Sequence, residues 1–174
     1  IRCLGSLGFE NAYALAMRRD RAQELGVRTI ADLAKHAPRL SVGSDYEFFE
    51  RPEWTQLKRT YGLTFERRGA FDSTFMYDAV QRREVDVITA FSSDGRIALY
   101  DLLVLDDPRR AFPPYDAVLL VSARWAEHQA ALDALTPLIG AIDVTRMRRA
   151  NLMVDRDEDK RLPKEAAEWL MSGK

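Results

Sequence analysis

Apolar and polar positions fall in blocks along this chain, and the blocks switch between strand-like and helix-like periods. Residues Tyr13–Arg19 form an apolar, β-compatible run after a glycine-containing turn, Gly5-Ser6-Leu7-Gly8, and predict a strand. Asp20 is placed to cap a short helix through Leu25, which Gly26 ends. Thr29 caps a second helix, Ile30–Ala37, with Ile30, Leu33 and Ala34 on one face and Pro38 as its stop. Leu40–Gly43 predicts a short strand, Glu50–Tyr61 a helix that tolerates Pro52 in its first turn, and Phe65–Arg67 another strand. Ser73 or Thr74 caps a helix to about Arg82, with Phe75, Tyr77, Ala79 and Val80 as core candidates. Val85–Phe91 has the composition of a buried strand, and Ser92-Ser93-Asp94-Gly95 that of a turn. Leu102–Leu105 and Tyr115–Val121 read as strands on either side of a loop, Asp106–Pro114. Beyond Ser122 only helical periodicity remains, over Ala123–Leu138, Val144–Val154 and Lys164–Leu170.

The alternation of strands and helices from Tyr13 to Val121 predicts an α/β fold with a mostly parallel sheet. The helical tail carries Trp125, Leu132, Leu135, Leu138, Ile139, Met147, Leu152 and Trp169, which need a surface to bury against. Either its helices form a small bundle, or they cover a second sheet whose strands come from elsewhere. No internal repeat or low-complexity stretch interrupts the pattern.

Composition acts mainly by exclusion. A chain of 174 residues with 47% hydrophobic and 30% charged residues can bury a core and is not of the disordered type. Its 26 basic and 27 acidic residues leave a net charge of -1, which gives no long-range attraction to nucleic acid. The arginine clusters at 18, 19, 21 and at 146, 148, 149 have acids nearby and read as solvated faces. One cysteine and two histidines exclude an internal disulfide and a zinc set. The acidic run Asp155–Asp159 lacks the glycine of a calcium loop and reads as solvated. There is no phosphate-binding glycine loop and no nucleophile motif, so neither a cofactor nor an enzymatic activity is expected. No apolar run approaches the ~18 residues of a membrane span. Arg2 before Cys3 does not suit lipoprotein cleavage, which takes small residues there.

Three segments, in order, carry a resemblance. They are Leu7-Gly8-Phe9-Glu10-Asn11-Ala12-Tyr13-Ala14-Leu15, then Tyr46-Glu47-Phe48-Phe49-Glu50-Arg51, then a series from Tyr77 and Ala79 through Glu84-Val85-Asp86-Val87 and Phe91-Ser92-Ser93-Asp94-Gly95 to Asp106-Asp107 and Phe112-Pro113-Pro114-Tyr115. Together they resemble the glycine betaine/choline/carnitine-binding proteins of ABC importers, over nearly the whole chain. The resemblance implies a type II periplasmic-binding-protein-like fold of two α/β lobes with ligand held between them. It assigns residues 1–114 to the ligand-binding lobe and 115–174 to a crossover strand and C-terminal helices of the other lobe. About a hundred further residues of that other lobe are expected upstream of Ile1. The chain therefore reads as a C-terminal portion, expected to bind ligand weakly by itself and to self-associate through its C-terminal helices.

The function implied is capture of a quaternary ammonium solute for import. The partners are that small ligand and a membrane permease, with no nucleic acid, and the location is periplasmic or extracellular at the membrane. The ligand-binding positions implied are Tyr13, Arg51, Phe91, Tyr115 and Asn11. A quaternary ammonium has no N–H to donate, so aromatic faces must hold it. On this map Tyr13, Phe91 and Tyr115 supply rings, Arg51 meets a ligand carboxylate, and Asn11 supports the turn before Tyr13 or touches ligand. Phe91 stands where many relatives carry tyrosine, and offers a ring face without a hydroxyl. Taken singly, Tyr13 and Phe91 also suit a core, Tyr115 a loop anchor, and Arg51 a surface ion pair. The alternative function is the ligand-sensing domain of a transcription regulator, since one fold hosts many functions.

Overall fold

The computed structural model describes residues 1–172. In chain order the strands are β1 (Arg2–Glu10), β2 (Tyr13–Arg18), β3 (Ser41–Asp45), β4 (Arg67–Phe71), β5 (Val87–Phe91), β6 (Leu102–Val104) and β7 (Asp116–Val121). The α-helices are α1 (Arg19–Leu25), α2 (Ile30–His36), α3 (Pro52–Tyr61), α4 (Phe75–Gln81), α5 (Arg96–Leu99), α6 (Gln129–Leu135), α7 (Val144–Asp155) and α8 (Pro163–Met171). Packing divides the chain into two units. One holds residues 13–92 and 96–113, the other residues 1–12, 93–95 and 114 onward.

The first unit is built on a five-stranded sheet in the order β4-β3-β5-β2-β6. The strand β3 runs parallel to β4 and β5, whereas β2 runs antiparallel to both β5 and β6. The sheet is thus mixed, which corrects the expectation of a mostly parallel one. Helical crossovers force parallel neighbours only between strands that they connect. The neighbours of β2 lie far along the chain, so nothing in its flanking sequence sets its direction.

Two apolar clusters cover this sheet. One gathers Leu15, Met17, Ile30, Leu33, Val42, Phe48, Trp54 and Leu57, and the other Ala16, Met76, Tyr77, Val80, Ile88 and Ile97. Leu15 and Met17 join the first, Ala16 the second, because alternate residues of a strand face opposite sides. Thr29 and Asp32 form a reciprocal capping box on α2, and the bond from the Thr29 side chain leads the effects that hold the Asp32 carboxyl at about 2. Asp20 does not cap α1. Arg18 occupies that position without a side-chain cap, and Asp20 pairs with it from the first turn. In α4 the expected core residues Tyr77, Ala79 and Val80 are buried, but Phe75 is 63% exposed and Met76 is buried beside them, because Met76 lies one turn before Val80 and shares its face.

The other unit pairs β1 with β7 in an antiparallel two-stranded sheet. The segment Gly5–Gly8, expected as a turn, is part of β1. Gly5 and Gly8 take φ of 141° and 107°, and the pairing register shifts around them. Glycine absorbs such irregularities inside a strand, so its presence did not signal a turn here. The tail has helices and, among the described residues, no strand after β7. The expected helix over Ala123–Leu138 is broken into a 3-10 turn at Trp125–Glu127, α6, and a 3-10 turn at Thr136–Leu138, since His128 is extended and Pro137 cannot donate. Asp143 caps α7 by accepting from the Arg146 N–H. Arg146 in turn donates to the Leu170 carbonyl and lies 5.6 Å above the Trp169 ring, tying α7 to α8. No described helix is long and apolar enough to cross a membrane.

Candidate functional site

Tyr13 opens β2 and Phe91 closes β5, and the two residues are direct antiparallel partners. Opposed residues share a face, so the rings meet, with centroids 5.0 Å apart and planes at 38°. Phe48, fully buried in the turn after β3, brings a third ring to 4.9 Å from Tyr13. Behind it Phe48 packs on Trp54 and Phe112, which fixes its position. The Phe91 N–H donates to the Tyr77 hydroxyl at 3.0 Å, anchoring the other side. The patch lies at the carboxyl ends of the parallel strands β3 and β5, the end of an α/β sheet where ligands gather.

Asp45, the last residue of β3, organises this patch. One carboxylate oxygen accepts from the Tyr13 hydroxyl at 2.9 Å, and the other accepts from the Glu47 and Phe48 N–H groups at 2.9 and 3.0 Å. An aspartate bonding the backbone two and three residues ahead is a turn-forming device. Here the same carboxylate also orients the phenol. Burial first, and then Asp45, push the Tyr13 hydroxyl well above the ordinary tyrosine range, so it stays protonated and donates.

Arg51 is reached through that turn. It precedes Pro52 in extended conformation at the head of α3, as a residue before proline must. Its guanidinium carbon lies 5.4 Å from the Tyr13 ring centroid. One terminal nitrogen bonds Glu53 at 3.1 Å, and the other stands 4.0 Å from Glu47. Glu53 is only 8% exposed, yet the Arg51 bond outweighs burial and holds its carboxyl below the usual range. Beside this ion group an open hollow is lined by Arg51, Pro52, Glu53, Gln56, Arg110 and Pro113.

Of the expected ligand residues, Tyr13, Arg51 and Phe91 therefore come together in one unit, and Asn11 and Tyr115 in the other. Asn11 donates its backbone N–H to the Tyr115 carbonyl at 3.1 Å and accepts from the Ser93 hydroxyl through its side chain. Tyr115 is 49% exposed. The sequence reading missed Asp45, Phe48, Glu47 and Glu53. An aspartate ending a strand just before two aromatics was the one usable signal. Among the described residues, no group of three or more potential ligands could hold a metal.

Known proteins share this arrangement of sequence. The carnitine transport binding protein OpuCC of Listeria monocytogenes is 29% identical over 153 residues, which is 86% of this chain and 50% of that protein. A glycine-betaine-binding protein of Pseudomonas aeruginosa is 30% identical over 163 residues, covering 86% of this chain and 52% of its own length. A crystal structure of a glycine betaine/carnitine/choline ABC transporter superposes with a TM-score of 0.87 at 31% identity, over 96% of this chain and 61% of that one. A choline binding protein in complex with choline shares the fold at 17% identity and a TM-score of 0.60, over 98% and 62% of the two chains. The chain spans about half the length of the curated relatives it matches. The family described as the substrate binding domain of the ABC-type glycine betaine transport system matches residues 1–172, and the chain belongs to that family.

Proposed function

We propose that this chain is part of the solute-binding component of an ABC importer for quaternary ammonium solutes such as glycine betaine, choline or carnitine. The observation that carries the reading is the joined ring group of Tyr13, Phe91 and Phe48 at a ligand-collecting sheet end. A quaternary ammonium is a diffuse cation without hydrogen-bond donors. An aromatic face attracts it through the ring quadrupole, by roughly 2 kcal/mol when desolvated. The Asp45 carboxylate adds to this attraction, because a phenol donating to an anion carries a more electron-rich ring. For Tyr115 and Asn11 the support is family spacing alone.

The partner is a membrane permease, and the site of action is outside the cytoplasmic membrane. The relatives named as transport binding proteins support both. The two packing units correspond to parts of two lobes, with the C-terminal helices in a different lobe from the ring group. Titration calorimetry on the full gene product tests the reading. Choline, glycine betaine and carnitine should include at least one saturable ligand at one site per chain. Absence of heat for all three, with folded protein, would refute it.

A further inference from the structure

We infer that Glu47 and Glu53, by engaging the Arg51 guanidinium beside the Tyr13 ring, make this site select quaternary ammonium cations that carry no carboxylate over zwitterionic betaines. The inference rests on the function proposed above and narrows its ligand class to the choline type, a trialkylammonium alcohol with net positive charge.

The argument is one of charge. A ligand carboxylate needs a cationic or N–H partner. The cation next to the ring group is Arg51, and both of its terminal nitrogens already face carboxylates, Glu53 at 3.1 Å and Glu47 at 4.0 Å. Glu53 is held by burial in the first turn of α3 and kept ionised by the same contact. Its second oxygen is buried without a hydrogen-bond partner, so this anion is only partly compensated. Asp45 adds a third carboxylate, bound to the Tyr13 hydroxyl itself. Three carboxylates, Asp45, Glu47 and Glu53, stand about the one guanidinium or the phenol beside it. At the Tyr13 hydroxyl itself the acting charges are Asp45 and Glu47 against Arg51, one negative charge in excess. A carboxylate brought to Arg51 would displace or crowd Glu53 and meet the repulsion of the others. A carboxylate-free cation gains from every one of them.

The test is calorimetric titration of the full gene product with choline, glycine betaine and tetramethylammonium, at low and at physiological ionic strength. Choline should bind about tenfold or more tightly than glycine betaine, and its advantage should shrink with salt as net-charge attraction is screened. Glu53→Gln should cut the choline-to-betaine ratio by about fivefold, and Glu47→Gln by about twofold, the exposed pair being the weaker. Glu24→Gln, in α1 by the opposite end of β2, removes the same formal charge and should leave the ratio unchanged. If buried Gln at position 53 prevents folding, as circular dichroism would show, the variant at exposed Glu47 decides at low salt. Glycine betaine binding as tightly as choline, or a ratio indifferent to both glutamates, overturns the inference and leaves the proposed function standing. Failure of all three ligands, tetramethylammonium included, overturns both.

Discussion

The Tyr13 hydroxyl and the Asp45 carboxylate meet at 2.9 Å across 32 residues of chain, and through them the ring group is tied to the turn that delivers Arg51. Asp45→Ala removes the acceptor for three donors at once. A part-buried donor left without a partner costs about 1–3 kcal/mol. The variant should therefore unfold at lower urea and bind quaternary ammonium ligands less tightly. Asp45→Asn keeps an acceptor oxygen and should recover much of the stability but less of the affinity. Equal effects of both variants on stability and affinity would mean that Asp45 acts by shape alone.

Tyrosine ionisation reports the same environment. Burial, and then the Asp107 carboxylate, push Tyr61 up to about 12, and Tyr13 is raised also. A raised folded-state value means that the neutral form is favoured by the fold. The stability this carries is complete below the ordinary tyrosine value near 10 and is lost as pH climbs from there through the folded value. An ultraviolet titration of the protein should show a late group to which Tyr13 and Tyr61 belong. Tyr61→Phe should remove part of the late group. All six tyrosines titrating together near pH 10 in folded protein would contradict the assignment.

In the two-stranded unit, Gly8 is the least replaceable glycine of β1. Its φ is 107°, and an added Cβ would fall 2.7 Å from the Ile142 carbonyl oxygen. Gly62 ends α3 at φ 67° with open space around the Cβ position. Gly62→Ala pays only the left-handed backbone term, about 1–2 kcal/mol. Gly8→Ala adds a backbone clash and should destabilise by more, measured as the shift in denaturant midpoint. A smaller effect at Gly8 would place Ile142 elsewhere.

The C-terminal helices leave apolar surface uncovered. No residue of α6 is fully buried, and Leu120 and Trp125 expose more than half of their surface. Scattered apolar residues need no explanation, but a sheet of two strands with such a face is marginal by itself. The 174-residue chain should therefore self-associate in light scattering, and Leu120→Lys with Leu132→Lys should reduce it. A monodisperse monomer at high concentration would contradict this.

How much of this was visible in the sequence depends on the range of the interaction. The helices α2 and α3 were legible because their signals are local, Thr29 at the start and Pro38 at the stop of one, Pro52 in the first turn of the other. The apolar run at Val85–Phe91 declared β5, which the structure begins at Val87, in the same way. The direction of β2 was not legible, because its partners β5 and β6 lie some seventy or more residues away and no local feature encodes that pairing. The strand β1 was hidden by its glycines, and Phe75 was chosen over Met76 because an aromatic at the first position of a helix reads as core until the neighbours of each face are in place. Of the site, the aromatic partners Tyr13 and Phe91 came from family spacing. Asp45 and Glu53 did not, since a carboxylate at a strand end or in the first turn of a helix looks solvated until its partner is in place.

Removing the Tyr13 ring is the most direct test of quaternary ammonium capture by the ring group. Choline titrated into the full gene product and into its Tyr13→Ala and Tyr13→Phe variants separates ring face from hydroxyl. Loss of one desolvated aromatic face, about 2 kcal/mol, corresponds to roughly thirtyfold in affinity. Tyr13→Ala should weaken choline by about that factor and Phe91→Ala by somewhat less. Tyr13→Phe, which keeps the ring, should lose only a fewfold. Choline binding that survives Tyr13→Ala unchanged, in protein whose circular dichroism is that of the parent, would contradict the account.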